Sequence, residues 1–401
     1  MVGIRSLTVV PRLARTRRAD APDSAGRPTT IAGVKLTPHE VRLLRTSAQC
    51  LEPPGADLVA VTRRLGAVNA QLRPAMLLAL RPRVSDLRIP DVEGAIEERT
   101  LTATWLMRGT LHLAATTDLM WMLRLLGPVF VAAGRRRRLE LGLTDETVAG
   151  ALEALGAMLR DGRALTREQV VDRLIQSGIG VERRGQAAIH LLQTAALTGL
   201  ICLGPQRDSS RPGYVQLGSA LHESGGPRTQ EEALAELART YLDGYGPATV
   251  RDFAAWSGLG LIAATRGWDL MKQREEVVSV TAGGKELSAL ASSLQQPARP
   301  LGGPSVRLLP AFDTYVLGYR DRDLVVAPQH HGAVYHGGQT VPIVAIDGLA
   351  AGVWRYERRG RRVSVDITPF EPFGSKVRRL VAEEAEAVAG FLGMQADVSF
   401  R

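Results

Sequence analysis

The stretch 102-TATWLMRGTLHLAAT-116 decides how the rest of the chain is read. Its β-forming residues flank the pair Arg108-Gly109, and two such runs around a short turn predict a hairpin. What precedes it is helical. Thr37 and Glu40 have the spacing of a capping box, and Val41, Leu43 and Leu44 begin an apolar stripe. "ADLVAVTRRL" carries apolar residues at helical spacing and stops near Gly66. "PAMLLALRPRV" predicts a third helix, broken before Pro82, and "DVEGAIEERTL" a fourth.

Helices closed by a hairpin make a winged helix, and the pattern returns twice. "TREQVVDRLIQSG" and "RGQAAIHLLQTAALTGL" predict two helices, followed by two short strands in "LICLGPQRDSSRPGYVQLG" around a polar, Gly/Pro-rich tip. From Thr229, "EEALAELARTYLDGYGPATVRDFAAWSG" supplies two helices, with Pro247 near the start of the second. "LIAATRGWDLM" supplies another helix and "EEVVSVTAGGKELSAL" strand material. Beyond about Pro300 the texture becomes strand-rich: "SVRLLPAF", "YVLGY", "TVPIVAIDG" and "AAGVWRYERRGRRVSVDITPF", closed by the helix "KVRRLVAEEAEAVAGFLG". The expected fold class is α+β, with three tandem winged-helix units and a C-terminal barrel-like β domain. The expected boundaries are a basic flexible extension over 1–35, winged helices over 36–143, 144–225 and 226–300, and a β-rich domain with a terminal helix over 301–401.

A chain of 401 residues suits several domains, and 45% hydrophobic content excludes general disorder. Cys50 and Cys202 stand far apart with no neighbouring ligand pattern, which argues against zinc or disulfides and for a reducing cytoplasm. The most apolar run, "MWMLRLLGPVFVAAG", is interrupted by Arg124 and Pro128 and falls short of the ~20 residues a membrane span requires. The Arg-rich N-terminus lacks the apolar core of a secretory signal. A cytoplasmic protein without a membrane partner is expected. Lys plus Arg total 50 against 41 acids, for a charge of +9, and Lys35, Lys272, Lys285 and Lys376 are the only lysines. Arginine offers planar donors suited to phosphate oxygens. With a positive net field, the favoured partner is a nucleic acid.

The usual catalytic machinery is absent from the sequence: no phosphate loop, no dinucleotide Gly fingerprint, no HExxH. His330, His331 and His336 cluster in "APQHHGAVYHGG", but with no acid among them the stretch reads as a mobile basic-aromatic loop; neither metal nor cofactor is expected. Asp313, Asp321 and Asp323 in "FDTYVLGYRDRD" alternate with Arg320 and Arg322, a pattern that predicts ion pairing. The basic runs Arg135 to Arg138 and Glu357 to Arg362 fit either a solvated face or phosphate contact. "GAVNAQLRP", Gly66 to Pro74, holds the amides Asn69 and Gln71, neither of which ionises. On a helix, positions i and i+2 diverge by about 200°, whereas on an extended segment they share a face. If the helix ends near Gly66, both amides point one way while Ala70 packs inward; a polar helix end is the plainer alternative. These residues alone reach a DNA-binding protein, such as a regulator, and no further.

Three segments in order change that. "AVNAQ" at 67–71, "WLMRGTLHL" at 105–113 and "LLPAFDTYVLGYRDRD" at 308–323 resemble the bacterial winged-helix DNA glycosylases of the AlkZ/YcaQ type, over a span from Thr37 to the C-terminus. The resemblance implies tandem winged helices with a C-terminal β-rich domain. It also implies a cofactor-free enzyme, here expected to be monomeric, that hydrolyses the N-glycosidic bond of alkylated purines in double-stranded DNA. The best-known branch unhooks interstrand crosslinks and protects producers of DNA-alkylating natural products, so bulky N7-alkylguanine adducts are the expected substrates. Family members carry Gln-apolar-Gln or Gln-apolar-Asp where this chain has Asn69-Ala70-Gln71; Gln71 matches the second Gln and Asn69 replaces the first. The resemblance therefore makes Asn69 and Gln71 the catalytic, water-holding pair. Arg108 and His112 are expected to contact DNA or complete the hairpin, Arg320 and Arg322 to contact DNA, and His330 and His331 to lie on a loop that meets the lesion.

Overall fold

The computed structural model describes residues 33–205, 212–218, 228–295 and 303–401. Helix starts follow local chemistry. Thr37 accepts the Glu40 N–H at 3.2 Å while the Glu40 carboxylate accepts the Thr37 N–H at 2.7 Å, and this reciprocal cap opens helix Pro38–Ala48. The same device opens Arg167–Gln176, Gln230–Tyr245 and Val250–Ser257.

The first part of the chain runs through helices Pro38–Ala48, Leu58–Arg64, Arg73–Leu80 and Ile89–Glu97 into the hairpin Leu101–Trp105 and Leu111–Ala115. Gly66 adopts φ +71, the left-handed conformation that ends a helix, and a Cβ there would stand 3.0 Å from the Trp256 ring. The chain then extends, and Val68–Asn69 pairs antiparallel with Leu111–Ala115. A second hairpin, Ile201–Leu203 with Tyr214–Gln216, joins the same sheet beside Leu101–Trp105. The two wings read separately from the sequence therefore share one five-stranded sheet, with Val68–Asn69 on its edge. The polar tip at 206–211 lies outside the described residues. The third hairpin, Val277–Ala282 with Lys285–Leu290, gains Val34–Lys35 as a parallel strand. The end of the expected flexible extension is thus sheet, and residues 1–32 lie outside the described residues.

Two helices were not foreseen in the sequence: Asp145–Met158 and the 25-residue Thr116–Glu140. The latter absorbs the apolar run that Arg124 and Pro128 were expected to interrupt, and it has the length and apolar content of a membrane-crossing helix. Its packing is that of a core helix. Leu119, Trp121, Met122, Leu123 and Leu126 belong to the main core, against helices Ala187–Leu197 and Gln230–Tyr245. A Cβ at Gly127 would fall 2.1 Å from the Leu197 carbonyl oxygen, so only glycine allows this crossing.

The C-terminal sheet corrects the barrel-like expectation. Its strand order is Gln395–Phe400, Arg362–Pro369, Leu349–Arg359, Ile343–Ile346, Val306–Leu309, and the two edge strands do not pair with each other. The sheet is open, covered by helix Ser375–Phe391 through Val381, Ala385, Val388 and Ala389. That helix is not terminal; the chain continues into Gln395–Phe400, parallel to Arg362–Pro369. "YVLGY", read as strand, is the single-turn helix Thr314–Leu317, because the Asp313 carboxylate accepts the Tyr315 N–H at 2.9 Å and caps it. The fold class is α+β.

Candidate active site

Alternation along the extended segment sorts its side chains. Val68 and Ala70 turn into a core with Leu65, Leu101 and Leu113, while Asn69 and Gln71 meet on the opposite side. The Asn69 Oδ1 accepts the backbone N–H of Gln71 at 3.1 Å, and its Nδ2 donates to the Gln71 Oε1 at 3.2 Å. These two bonds fix the amide orientation, since a flipped Asn69 would set its NH2 against an N–H. Asn69 is 6% exposed; Gln71 and its neighbour Leu72 are open to solvent. The pair thus presents one sheltered and one exposed carboxamide at the edge of the sheet.

His112 lies opposite Asn69 on the adjoining strand and is 2% exposed. Its Nδ1 is 2.8 Å from the Thr110 carbonyl, which can only accept, so Nδ1 carries the proton. Burial, with the Arg108 cation adding to it, pushes its pKa down to about 3. A buried neutral imidazole cannot serve as a charged phosphate contact. Arg108 adopts φ +54 in the turn, and its guanidinium donates to the Trp256 carbonyl; burial lowers its pKa. Gln193 Nε2 donates to the Gly109 carbonyl at 2.7 Å. The turn is therefore gripped by helices Val250–Ser257 and Ala187–Leu197, and Arg108 completes the hairpin from within the fold.

The remaining expected contacts stand elsewhere. The Arg320 N–H donates to Asp252 at 2.9 Å, at the N-terminal end of the helix whose other end receives Arg108, and its side chain is exposed. Arg322 lies over the Tyr335 ring at 4.0 Å. His330 stacks on Phe370 with ring centroids 4.0 Å apart, and the His331 Nε2 is 2.9 Å from the Val326 carbonyl. Both imidazoles thus rest against neighbouring residues, while Gly332, Ala333 and His336 of the same stretch are exposed. The expected pairing of Asp321 and Asp323 with Arg320 and Arg322 is also corrected: both carboxylates pair with Lys285.

Asp313 pairs bidentately with Arg83 at 2.7 and 2.9 Å, both side chains fully buried. Around them, Gln49 Oε1 accepts from Arg83 and Thr314, the Tyr315 hydroxyl donates to the Gly348 carbonyl, and the Tyr319 hydroxyl to that of Tyr245. The Arg45 guanidinium lies 3.8 Å above the Tyr319 ring. "FDTYVLGYRDRD" is thus a brace binding the first helices, helix Gln230–Tyr245 and the C-terminal sheet. Sequence reasoning missed Gln49 and Arg83. A buried aspartate demands a cation, but so many arginines offer themselves that none can be singled out.

The paired amides lie on the edge strand of a sheet that two helix-and-hairpin regions share, in a chain of net charge +9. Residues 62–391 match the family described as "DNA glycosylase AlkZ-like". The chain belongs to this family of DNA glycosylases, hydrolases acting on N-glycosidic bonds. It is similar to the "Interstrand DNA cross-link repair glycosylase" of Streptomyces sahachiroi, with 29% identity over 373 residues, 90% of this chain and 98% of the relative. The solved structure of Streptomyces sahachiroi DNA glycosylase AlkZ matches with a TM-score of 0.77 and 27% identity, covering 92% of this chain and 100% of that one.

Proposed function

We propose that this protein is a monofunctional DNA glycosylase that hydrolyses the N-glycosidic bond of bulky N7-alkylated guanine adducts or crosslinks, with Asn69 and Gln71 holding the nucleophilic water. The mutual hydrogen bonds of these two amides, at a sheet edge where Gln71 meets solvent, carry the reading. The crosslink-repair name of the Streptomyces sahachiroi relative supports the substrate class. The three helix-and-hairpin regions act as winged helices that present the duplex to this edge. The enzyme works as a cytoplasmic monomer, in self-resistance to a genotoxic natural product.

The chemistry suits uncharged side chains. An N7-alkylated guanine is cationic, so breaking the C1′–N9 bond sends the electron pair into a base that leaves neutral, without prior protonation. The sugar develops oxocarbenium character, water bonds to C1′, and its proton passes to solvent. What the protein must supply is a placed water and dipoles whose negative ends face the sugar. The carboxamide oxygens of Asn69 and Gln71 do both. Asn69 is one methylene shorter than the family's Gln and already accepts the Gln71 N–H. The water is therefore drawn toward Asn69, or a bulkier adduct fills the gap.

A panel of duplexes carrying N7-methylguanine, a bulky N7-guanine adduct or an N7-linked crosslink tests this, with alkaline cleavage at the resulting abasic sites as readout. Release from the bulky or crosslinked duplexes is expected to exceed release from the methylated one. No release from any duplex would defeat the enzymatic reading, and release from N7-methylguanine alone would defeat the bulky-adduct assignment.

A further inference from the structure

His112 is a buried titratable group for which the water-holding pair has so far supplied no role, and its position is specific. The Ala70 N–H donates to the Leu111 carbonyl at 2.8 Å, so the register partners Asn69 and His112 occupy the neighbouring non-hydrogen-bonded position. At such positions opposing side chains stand closest, with Cβ atoms about 4.5–5.5 Å apart. Thr104 is the partner of His112 on its other side, so Asn69, His112 and Thr104 form one polar row across the sheet. The residues alternating with them, Val68, Leu113 and Ala103, pack into apolar core.

Each member of the row has unspent hydrogen-bonding capacity among the described residues. With Nδ1 committed to the Thr110 carbonyl, the Nε2 of His112 is a bare lone pair. Asn69 Nδ2 carries two protons and gives one to Gln71. The Thr104 Oγ1 is fully buried without a partner. Buried polar groups such as the Thr104 hydroxyl are rarely left unsatisfied, and in strand register His112 stands between Thr104 and Asn69. Resting on the reading of Asn69 and Gln71 as the water-holding pair, we propose that His112 is a positioning residue for that pair, its unprotonated Nε2 taking the second Asn69 amide proton through one bridging water. The bond reinforces the Asn69 orientation that its two bonds to Gln71 already set, and so restrains the carboxamide that holds the attacking water. Burial lowers the imidazole's pKa and so favours this neutral acceptor at neutral pH.

The test is single-turnover base release from a duplex bearing one bulky N7-alkylguanine, with Kd for the same duplex measured alongside, for wild type, His112→Phe, His112→Gln, Asn69→Ala and Gln71→Ala. His112→Phe keeps a flat ring and removes both nitrogens; His112→Gln restores an acceptor. The expected result is release about tenfold slower in His112→Phe, the worth of one lost hydrogen bond, with Kd unchanged and partial recovery in His112→Gln. Full release by His112→Phe, while Asn69→Ala and Gln71→Ala are slow, overturns this proposal alone. Full release by both amide variants overturns the water-holding reading and this proposal with it. A loss confined to Kd returns His112 to DNA contact. Should His112→Phe not fold, the 15N resonances of wild-type His112 decide: an unprotonated, hydrogen-bonded Nε2 above pH 5 is expected, and a protonated Nε2 overturns the assignment.

Discussion

The amide pair was legible because extended chain alternates: once Gly66 ends the helix, Asn69 and Gln71 must share a side while Ala70 packs away. The fate of His112 was not, since a histidine in "TLHL" faces whichever side the strand register dictates, and its partner is a two-residue strand that no pattern announces. Burial of this residue has a measurable consequence. In the folded protein its pKa is pushed down to about 3, against roughly 6.5 in an unfolded chain. The unfolded state therefore binds the extra proton first as pH falls, so stability is full above about pH 6.5 and declines below it. At pH 5 the loss amounts to about 2 kcal/mol from this group. Urea unfolding at pH 7.5 and pH 5 is expected to show that decline in wild type and a flatter profile in His112→Phe; equal slopes would mean that His112 does not stay neutral in the fold.

Helix starts with caps, such as Thr37 and Thr229, announce themselves in the sequence, whereas helix Thr116–Glu140 does not. Proline inside a helix costs about 3 kcal/mol by propensity alone, which is why Pro128 reads as a break. Burial of Leu119, Met122, Leu123 and Leu126 in the main core outweighs it. Gly127, beside that proline, is where the helix crosses Ala187–Leu197. Alanine would gain about 1 kcal/mol in helix propensity there. Its Cβ, however, would lie 2.1 Å from a backbone oxygen that cannot move alone, and overpacking of this kind costs about 1–3 kcal/mol. Gly127→Ala is expected to lower the thermal midpoint. Gly134→Ala, whose Cβ meets only the flexible end of Arg138, is expected to leave it unchanged or raise it. A neutral or stabilising Gly127→Ala would mean that the helices do not cross as closely as the structure has them.

Three helix-and-hairpin regions and a β-rich C-terminal part could be read from local patterns, yet their joining could not. Strand counts carry no strand order, so the shared five-stranded sheet and the open C-terminal sheet came only with the structure. The same holds for the brace: Asp313 and Arg83 are 230 residues apart. Removing the carboxylate leaves a fully buried guanidinium unpaired, at a cost of about 3–5 kcal/mol. Asp313→Ala is expected to unfold at markedly lower urea concentration, and an unchanged midpoint would deny the brace its structural role. Against this scaffold, the most direct measurement is single-turnover release of a bulky N7-alkylguanine by wild type and Gln71→Ala at saturating enzyme. Loss of a preorganised group that places the water predicts a rate at least about 100-fold lower, with DNA affinity and unfolding midpoint unchanged. A Gln71→Ala enzyme that releases the base at the wild-type rate would contradict the account.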